Sequence, residues 1–210
     1  MLNICQVITK IKNCKIIEIR DGVAMEFEDF EEKTLCRQDI FKGQVIDVKY
    51  DTVTLPNNSG TAKRELVFHN GGVAVLAITN DNKMILVKQF RKALEQVIYE
   101  IPAGKLEKGE NIDPQAAMSR ELEEETGMSA AKIRKLTAFY TAPGFCNELL
   151  HLYRAEELTK LDNPRPQDDD ENIVLCEVTL TQAKAMVKSG EISDAKTIIA
   201  IQYWELETYD

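Results

Sequence analysis

Apolar residues in the first half of the 210-residue chain follow patterns typical of β-strands. Residues 43–55 alternate apolar and polar positions with a period of two, and the turn-forming sequence PNNSG follows them. Two continuous apolar runs, at 71–79 and 83–90, are joined by Asn-Asp-Asn and predict a hairpin of two buried strands. The segments predicted to be extended in this half are 43–55, 61–68, 71–79, 83–90 and 96–104.

A helical pattern begins after this β-rich half. Asp113 is a suitable N-cap, Pro114 suits the first helical position, and Gly127 suits a left-handed C-cap. The spacing therefore predicts a helix from about Pro114 to Thr126.

The rest of the chain adds strands and then two helices. Thr179 and Gln182 have the spacing of a capping box, and Gly190 can end that helix. This order of elements predicts an α+β or layered α/β/α domain. The predicted strands are 133–142, 148–155 and 173–180, and the predicted helices are 179–190 and 193–207.

Charge restricts the choice of partner. The formal net charge is -9 and the isoelectric point is about 4.9, so the chain repels nucleic acids and anionic membranes. We therefore expect neither as a partner. An anionic substrate would need arginines or bound metal ions at its site.

The five cysteines are scattered, with no C-x-x-C pair, which indicates reduced thiols rather than disulfides or a zinc site. Polar residues interrupt the apolar run at the N terminus too often for a signal peptide or a membrane span. We therefore expect a cytoplasmic protein.

Four glutamates crowd into RELEEETG, at positions 120–127. At about 100° per residue, Glu121, Glu124 and Glu125 share a sector of about 100°, and Glu123 points to the opposite side. That sector overlaps the apolar stripe of Met118 and Leu122, so Glu121 and Glu125 should lie on or beside the face that packs against the protein. Unpartnered carboxylates are costly there, whereas oxygen-rich clusters suit Mg²⁺, so we favour a metal site over an ordinary acidic surface.

Residues 104–110, GKLEKGE, and 120–128, RELEEETGM, resemble the two halves of the Nudix box. Nudix hydrolases cleave a nucleoside diphosphate linked to another group and use divalent cations. The resemblance implies a Nudix-type α/β/α sandwich with a mixed sheet, preceded by a small N-terminal β-rich segment. The implied organisation is an extension at 1–24, a β segment at 25–70 and a catalytic domain at 71–210.

The box departs from the family pattern at one place. The family has seven residues between its first glutamate and its arginine, whereas nine lie between Glu110 and Arg120. The two extra residues, Asn111 and Ile112, fall before the predicted N-cap, where an insertion is tolerated. The placement of Glu110 is therefore open, but the three inward glutamates keep their register.

From Phe27 to the C terminus, the chain resembles the ADP-ribose pyrophosphatase branch of the family. Pro143 lies fifteen positions after Met128, and a proline near there is associated with ADP-ribose hydrolysis. The implied reaction is Mg²⁺-dependent hydrolysis of ADP-ribose to AMP and ribose 5-phosphate, with Mn²⁺ as the other candidate ion. Two alternatives stay open: hydrolysis of other nucleoside diphosphate sugars such as GDP-mannose, and a sensor that binds ADP-ribose without cleaving it.

The resemblance also assigns metal ligands. Glu121 and Glu125 would bind Mg²⁺ directly, with the carbonyl of Ala103 as a further ligand. Glu124 would complete the cluster directly or through water, and Arg120 would either orient Glu124 or form a simple helix salt bridge. We expect Glu123 to be solvated and dispensable.

The general base in this branch usually comes from a downstream acidic loop. Here the loop offers acids at 168–171, and we favour Glu171 because it directly precedes a predicted strand. Ordinary solvated loop acids are the alternative interpretation.

Further residues match positions that contact substrate in the family. The arginines are Arg64 and Arg91, and surface ion pairing is the alternative for both. Glu100 would contact substrate or support the metal loop. The backbone of Pro143, Gly144 and Phe145 would line the terminal-ribose end.

Members of this branch are commonly homodimers that exchange N-terminal segments. The alternating strands at 43–68 suit that role, although they could equally extend the sheet of one monomer. Residues 1–24 lie outside the resemblance and are either an additional arm or a misassigned start before Met25.

Overall fold

The computed structural model describes residues 29–107, 113–167 and 172–208, together with the backbone of two short strands before them. The strands are β1 (Ile19–Arg20), β2 (Val23–Ala24), β3 (Lys33–Lys42), β4 (Ile46–Thr54), β5 (Thr61–His69), β6 (Gly72–Ala77), β7 (Met84–Arg91), β8 (Gln96–Glu100), β9 (Ala103–Lys105), β10 (Met128–Tyr140), β11 (Leu149–Lys160) and β12 (Val174–Val178). The helices are α1 (Pro114–Thr126), α2 (Leu180–Ser189) and α3 (Ala195–Glu207).

The chain divides into two compact units. The first comprises Met1–Phe41 and Val48–Leu66, and the second comprises Lys42–Asp47 and Val67–Asp210. The first unit contains most of a three-stranded sheet in the order β3-β4-β5. In that sheet Arg37 donates three hydrogen bonds, of 2.8, 3.1 and 2.6 Å, to the buried carboxylate of Asp51.

Strand β6 lies inside a mixed sheet of the second unit. The strand order is β10-β11-β6-β9, in which β6 is parallel to β11 and antiparallel to β9. A second, antiparallel sheet has the order β12-β7-β8. The predicted hairpin between 71–79 and 83–90 is therefore wrong: both strands exist, but only one bridge, between Ile78 and Met84, joins them.

Every residue of β6 is buried. Because successive side chains of a strand point to opposite faces, those of β6 belong to two core layers. Ala74 and Leu76 pack with α2 and α3, where Trp204 is the largest fully buried side chain. Val73 and Val75 pack with α1. Helices on both sides of β6 form the α/β/α arrangement that the order of elements predicts.

The helix ends match their predicted caps. Asp113 accepts a 3.0 Å hydrogen bond from the backbone N–H of Gln115, and Gly127 ends α1 in the left-handed conformation at φ 69°. Thr179 and Gln182 form the capping box of α2, and Gly190 ends that helix at φ 84°. No helix in the described part of the chain combines the length and apolar character needed to cross a membrane.

Candidate functional site

Helix α1 carries two buried carboxylates on the face that packs against β6. Glu121 is 8% exposed and Glu125 is 3% exposed, and Met118 and Leu122 are buried on the same side. The helix geometry predicts this placement correctly. Glu121 and Glu125 are four residues apart, which is about 40° around the helix, so both carboxylates face the same strand edge.

Strand β9 supplies the surface on which the two carboxylates lie. A Cβ atom added to Gly104 would come within 1.8 Å of the Glu121 carboxyl carbon, so no other residue fits there without movement. The backbone N–H of Ala103 donates a 3.1 Å hydrogen bond to Glu125 Oε2. The short strand therefore orients both acids through its backbone.

Arg120 joins the acids of α1. Its Nη2 lies 2.6 Å from Glu121 Oε1, and its Nη1 lies 2.6 Å from Glu124 Oε2. Burial alone would lower the pKa of Arg120, but the charges and hydrogen bonds of Glu121 and Glu124 raise it above its ordinary value. Arg120 therefore forms a salt bridge within the helix, and the same contacts orient Glu121 and Glu124. Both interpretations of Arg120, as a simple salt bridge and as a residue that orients Glu124, thus have a structural basis.

The three inward acids carry oxygen ligands of the kind that divalent cations bind. Carboxylate oxygens are the ligands that Mg²⁺ prefers, and Glu121 and Glu125 are already desolvated beside β9. In the part of the chain described, no three acidic, histidine or cysteine side chains converge in the geometry of a metal cluster. Glu121 and Glu124 are instead directed toward Arg120, and the binding of a cation would require them to turn toward it.

A cavity of about 620 Å³ opens in front of Glu121. Its walls come from β6, β7, β9, β11, the loop after β10 and the start of α3, all within the second unit. The lining residues are Gly72, Gln89, Arg91, Ala103, Gly104, Lys105, Glu121, Thr141, Glu148, Leu150, Asp194, Ala195 and Lys196.

Buried Glu100 is held by two cations at the wall of this cavity. Arg91 donates from Nε to one oxygen and, over 3.0 Å, from Nη2 to the other, while Lys196 Nζ donates to Glu100 Oε2. Burial would raise the pKa of Glu100, but the hydrogen bonds and charges of Arg91 and Lys196 outweigh it, so the pKa lies below its ordinary value. Glu100 is 2% exposed and is absent from the cavity lining, which favours the supporting role over substrate contact.

A second cavity, of about 410 Å³, shares Lys105 and Glu121 with the first. Arg120 and His69 also belong to its lining. His69 Nδ1 accepts a 3.0 Å hydrogen bond from the N–H of Gly71, and this contact holds the ring at the start of β6. Lys105 and Glu121 thus lie where the two cavities meet.

The remaining predicted substrate contacts are spread over both units. Arg64 lies on β5 in the first unit, where its guanidinium pairs with Glu32. Pro143, Gly144 and Phe145 form an exposed turn in the second unit, and the carbonyl of Phe145 accepts a 2.8 Å hydrogen bond from the N–H of Val67.

Glu123 is only partly solvated, contrary to expectation. Its carboxylate accepts a 2.9 Å hydrogen bond from the backbone N–H of Arg165 and lies 3.6 Å from the side chain of the same residue. Gln167 Nε2 in turn donates to the carbonyl of Glu125 over 3.4 Å. The loop after β11 therefore packs on the end of α1, while Glu171, the favoured base, lies outside the described residues together with Glu110.

Comparison with known proteins adds the family to this geometry. The NUDIX domain family matches residues 69–200. This range includes β6, β9, which lines both cavities, and all of α1. The chain belongs to the Nudix family. Helix α1 is accordingly its Nudix helix, and the β9–α1 segment is its Nudix box.

Three relatives match more than four fifths of the chain. The ADP-ribose pyrophosphatase of Bacillus subtilis is 53% identical, over 86% of this chain and 96% of the relative. The methanol dehydrogenase activator of Bacillus methanolicus is 51% identical, over 85% of this chain and 95% of the relative. The GDP-mannose pyrophosphatase of Citrobacter koseri is 32% identical, over 81% of this chain and 93% of the relative.

A solved structure described as an ADP compounds hydrolase has the same fold. It superimposes with a TM-score of 0.73 and 18% identity, covering 85% of this chain and 96% of the other. The likeness confirms the Nudix-type sandwich with its mixed sheet and the additional N-terminal strands.

The cavity of this Nudix protein also contains residues that the sequence did not single out. Asp194 and Lys196 line it from the start of α3, and Lys105 lines it from β9. Asp194 was recognisable only as a helix start, and nothing in the local pattern of Lys196 indicates that it reaches Glu100, 96 positions earlier. Only the tertiary fold brings these groups to the Nudix helix.

Proposed function

We propose that this chain is a Mg²⁺-dependent ADP-ribose pyrophosphatase that forms AMP and ribose 5-phosphate. The observation that carries the proposal is the buried pair Glu121 and Glu125, held against β9 at the wall of a 620 Å³ cavity. The substrate is inferred from the relative that is 53% identical and is named an ADP-ribose pyrophosphatase.

The proposed ligands of Mg²⁺ are the carboxylates of Glu121, Glu124 and Glu125 and the carbonyl of Ala103. Mn²⁺ would suit the same oxygen ligands. When bound, the ion would neutralise charge on the diphosphate and polarise its phosphorus–oxygen bonds. The fit rests on the Gly104 backbone, which leaves room for the Glu121 carboxylate where any side chain would displace it.

Arg91 is the proposed cationic contact for the diphosphate inside the cavity. A guanidinium has five N–H donors, and its two bonds to Glu100 leave the others available. The same two bonds fix the plane of the guanidinium, so a phosphate would meet an already oriented partner. In the proposed mechanism Glu100 is therefore a supporting residue.

In the hydrolysis, the oxygen of a water molecule bonds to one phosphorus of the diphosphate. The bond from that phosphorus to the bridging oxygen breaks, and the other half of the substrate leaves as a phosphate monoester that retains this oxygen. Glu171 remains the proposed acceptor of the water proton. Support comes from Gln167, four positions earlier, which donates to the carbonyl of Glu125 at the end of the Nudix helix. The loop thus approaches the acids of α1 just before residues 168–171.

The two cavities that meet at Lys105 and Glu121 suit a substrate with an arm on each side of its diphosphate. We assign the turn at Pro143, Gly144 and Phe145 to the terminal ribose. Arg64 stays a proposed substrate contact.

We also propose that the enzyme is a cytoplasmic homodimer. Support for a dimer comes from β3, since all ten of its residues are exposed in the single chain. A long exposed edge strand with apolar side chains is a template for pairing with another chain.

A substrate panel tests the proposal. Purified protein with saturating Mg²⁺ is given ADP-ribose, GDP-mannose and other nucleoside diphosphate sugars, and kcat/KM is measured for each. We expect ADP-ribose to be the best substrate, with AMP and ribose 5-phosphate in equal amounts. Equal or faster turnover of GDP-mannose would assign the alternative substrate, and ADP-ribose binding without AMP release would identify a sensor.

A further inference from the structure

The hydroxyl of Thr197 joins the start of α3 to the segment between β8 and β9. It accepts a 2.9 Å hydrogen bond from the backbone N–H of Ile101 and donates a 2.6 Å hydrogen bond to Asp194 Oδ2. Asp194 is the N-cap of α3 and also accepts from the N–H of Thr197 over 2.9 Å. Thr197 and Ile101 are both fully buried, so water cannot replace either bond.

Ile101 lies two residues before the backbone that orients the acids of the Nudix helix. The next residue, Pro102, is held by its carbonyl, which accepts a 2.9 Å hydrogen bond from Val75 of β6. Ala103 then donates to Glu125, and Gly104 lies under Glu121. A displacement at Ile101 would therefore reach both carboxylates through three consecutive peptide units.

A second connection runs parallel to the first. Lys196 Nζ lies 3.0 Å from Asp194 Oδ1 and also donates to Glu100 Oε2, next to Ile101 in the chain. Asp194 therefore uses one oxygen to hold Thr197 and the other to hold Lys196. The first connection joins Thr197 to Ile101, and the second joins Lys196 to Glu100. In each, the two partners are 96 positions apart in the sequence.

We propose that Asp194 and Thr197 are positioning residues. They fix the position of the β9 backbone relative to Glu121 and Glu125, and thereby the geometry of the proposed metal-binding acids. This inference rests on the proposed function, because it names the residues that prepare the same site. Thr197 is fully buried and does not line the cavity, so it would influence the reaction without touching the substrate.

The test compares Thr197→Val, which removes the hydroxyl at nearly constant volume, with Thr197→Ser, which retains it. In the metal-free protein, hydrogen exchange at the Ile101 amide should accelerate about tenfold in Thr197→Val and change little in Thr197→Ser. Mn²⁺ affinity, measured by titration, should fall about tenfold in Thr197→Val only, as expected when support of metal ligands is lost. With ADP-ribose, kcat should fall about tenfold while KM stays within about twofold.

Thr179→Val is the matched control, since it removes a threonine cap whose hydrogen bonds go to Gln182 of α2 and not to the segment before β9. A general loss of stability would affect both valine variants, whereas lost positioning affects only Thr197→Val. Unchanged Ile101 exchange together with unchanged Mn²⁺ affinity in Thr197→Val would overturn the proposal. If Thr197→Val does not fold, Asp194→Asn replaces it, with Ile101 exchange about threefold faster expected from the weaker acceptor.

The two proposals fail in different ways. If the wild-type chain does not cleave ADP-ribose, the proposed function is wrong, but exchange at Ile101 and Mn²⁺ binding still decide the role of Thr197. If ADP-ribose is cleaved and Thr197→Val behaves as wild type in all three measurements, only the positioning role is wrong.

Discussion

Glu125 and Glu123 are close in the sequence of the Nudix helix but differ in environment. Glu125 is 3% exposed and faces β9, whereas Glu123 contacts the backbone and side chain of Arg165. We expect Glu125→Gln to lower kcat for ADP-ribose by about a hundredfold or more, because the proposed metal site would lose one charged ligand. Steady-state kinetics over a range of Mg²⁺ concentrations measure the effect.

The control is Glu123→Gln, which retains an oxygen to accept the Arg165 N–H. Its kcat should stay within about threefold of wild type, since the side chain lies away from the cavity. The division of the acids into inward and outward groups would be refuted if the two variants lost activity equally.

Glu100 should make stability depend on pH in the acidic range. Its pKa lies below the ordinary value of 4.5, so its stabilising contribution is complete above pH 4.5 and is lost as the pH falls through the lower folded-state pKa. Glu100→Gln removes the charge and leaves Arg91 and Lys196 without their buried partner, at a cost of about 3 kcal/mol at pH 7.

Unfolding by denaturant at several pH values measures this dependence. The difference in the free energy of unfolding between wild type and Glu100→Gln should be constant from pH 7 to about pH 5 and shrink below pH 4.5. A difference that stays constant at low pH would contradict the assignment to Glu100.

The sequence predicted the acids of the site better than their supports. Glu121 and Glu125 follow from a helical period of about 3.6 residues, which applies whatever surrounds the helix. Lys196 and Thr197 act on Glu100 and Ile101, 96 positions away in each case. No local period encodes such a contact, so these residues could be found only from the tertiary fold.

Strand β9 and the Nudix helix depend on each other at Gly104. In Gly104→Ala the new Cβ would overlap the Glu121 carboxyl group, at 1.8 Å, so the strand or the acid must move. We expect a loss of stability of about 1 kcal/mol or less, because the overlapped atoms are the end of a flexible side chain, which can turn away. Activity should fall about tenfold or more, because the displaced acid no longer holds the geometry required at the diphosphate.

Gly144→Ala is the control for stability, because a Cβ at Gly144 has no atom within 4 Å. Its free energy of unfolding should match wild type within about 0.5 kcal/mol. Calorimetry measures the stability of both variants, and steady-state kinetics measure their activity. If Gly104→Ala were as stable and active as wild type, close packing of Glu121 on β9 would not matter to the enzyme.

Helix boundaries were more predictable than strand pairing for a physical reason. Asp113, Thr179 and Gly190 act on backbone groups within a few residues of themselves, so local sequence determines where α1 and α2 begin and α2 ends. Strands β6 and β7 are both continuously apolar near their shared turn, and that pattern does not identify their partners. The two strands belong to different sheets. Strand β3 was not predicted, because its polar and apolar residues scarcely alternate.

The proposed homodimer depends on the surface of β3 in the first unit. Leu35, which is 59% exposed there, would be covered by the second copy, so Leu35→Glu should weaken the dimer by placing a charge in an apolar contact. Light scattering coupled to size-exclusion chromatography should give twice the 23.8 kDa chain mass for wild type and a smaller mass for Leu35→Glu at low micromolar concentration.

The control is Leu206→Glu, at a leucine of α3 that is 65% exposed, and this variant should remain dimeric. Because Leu206 lies outside the proposed contact, dissociation by both variants would show that added charge alone separates the copies. A monomeric wild type would refute the dimer.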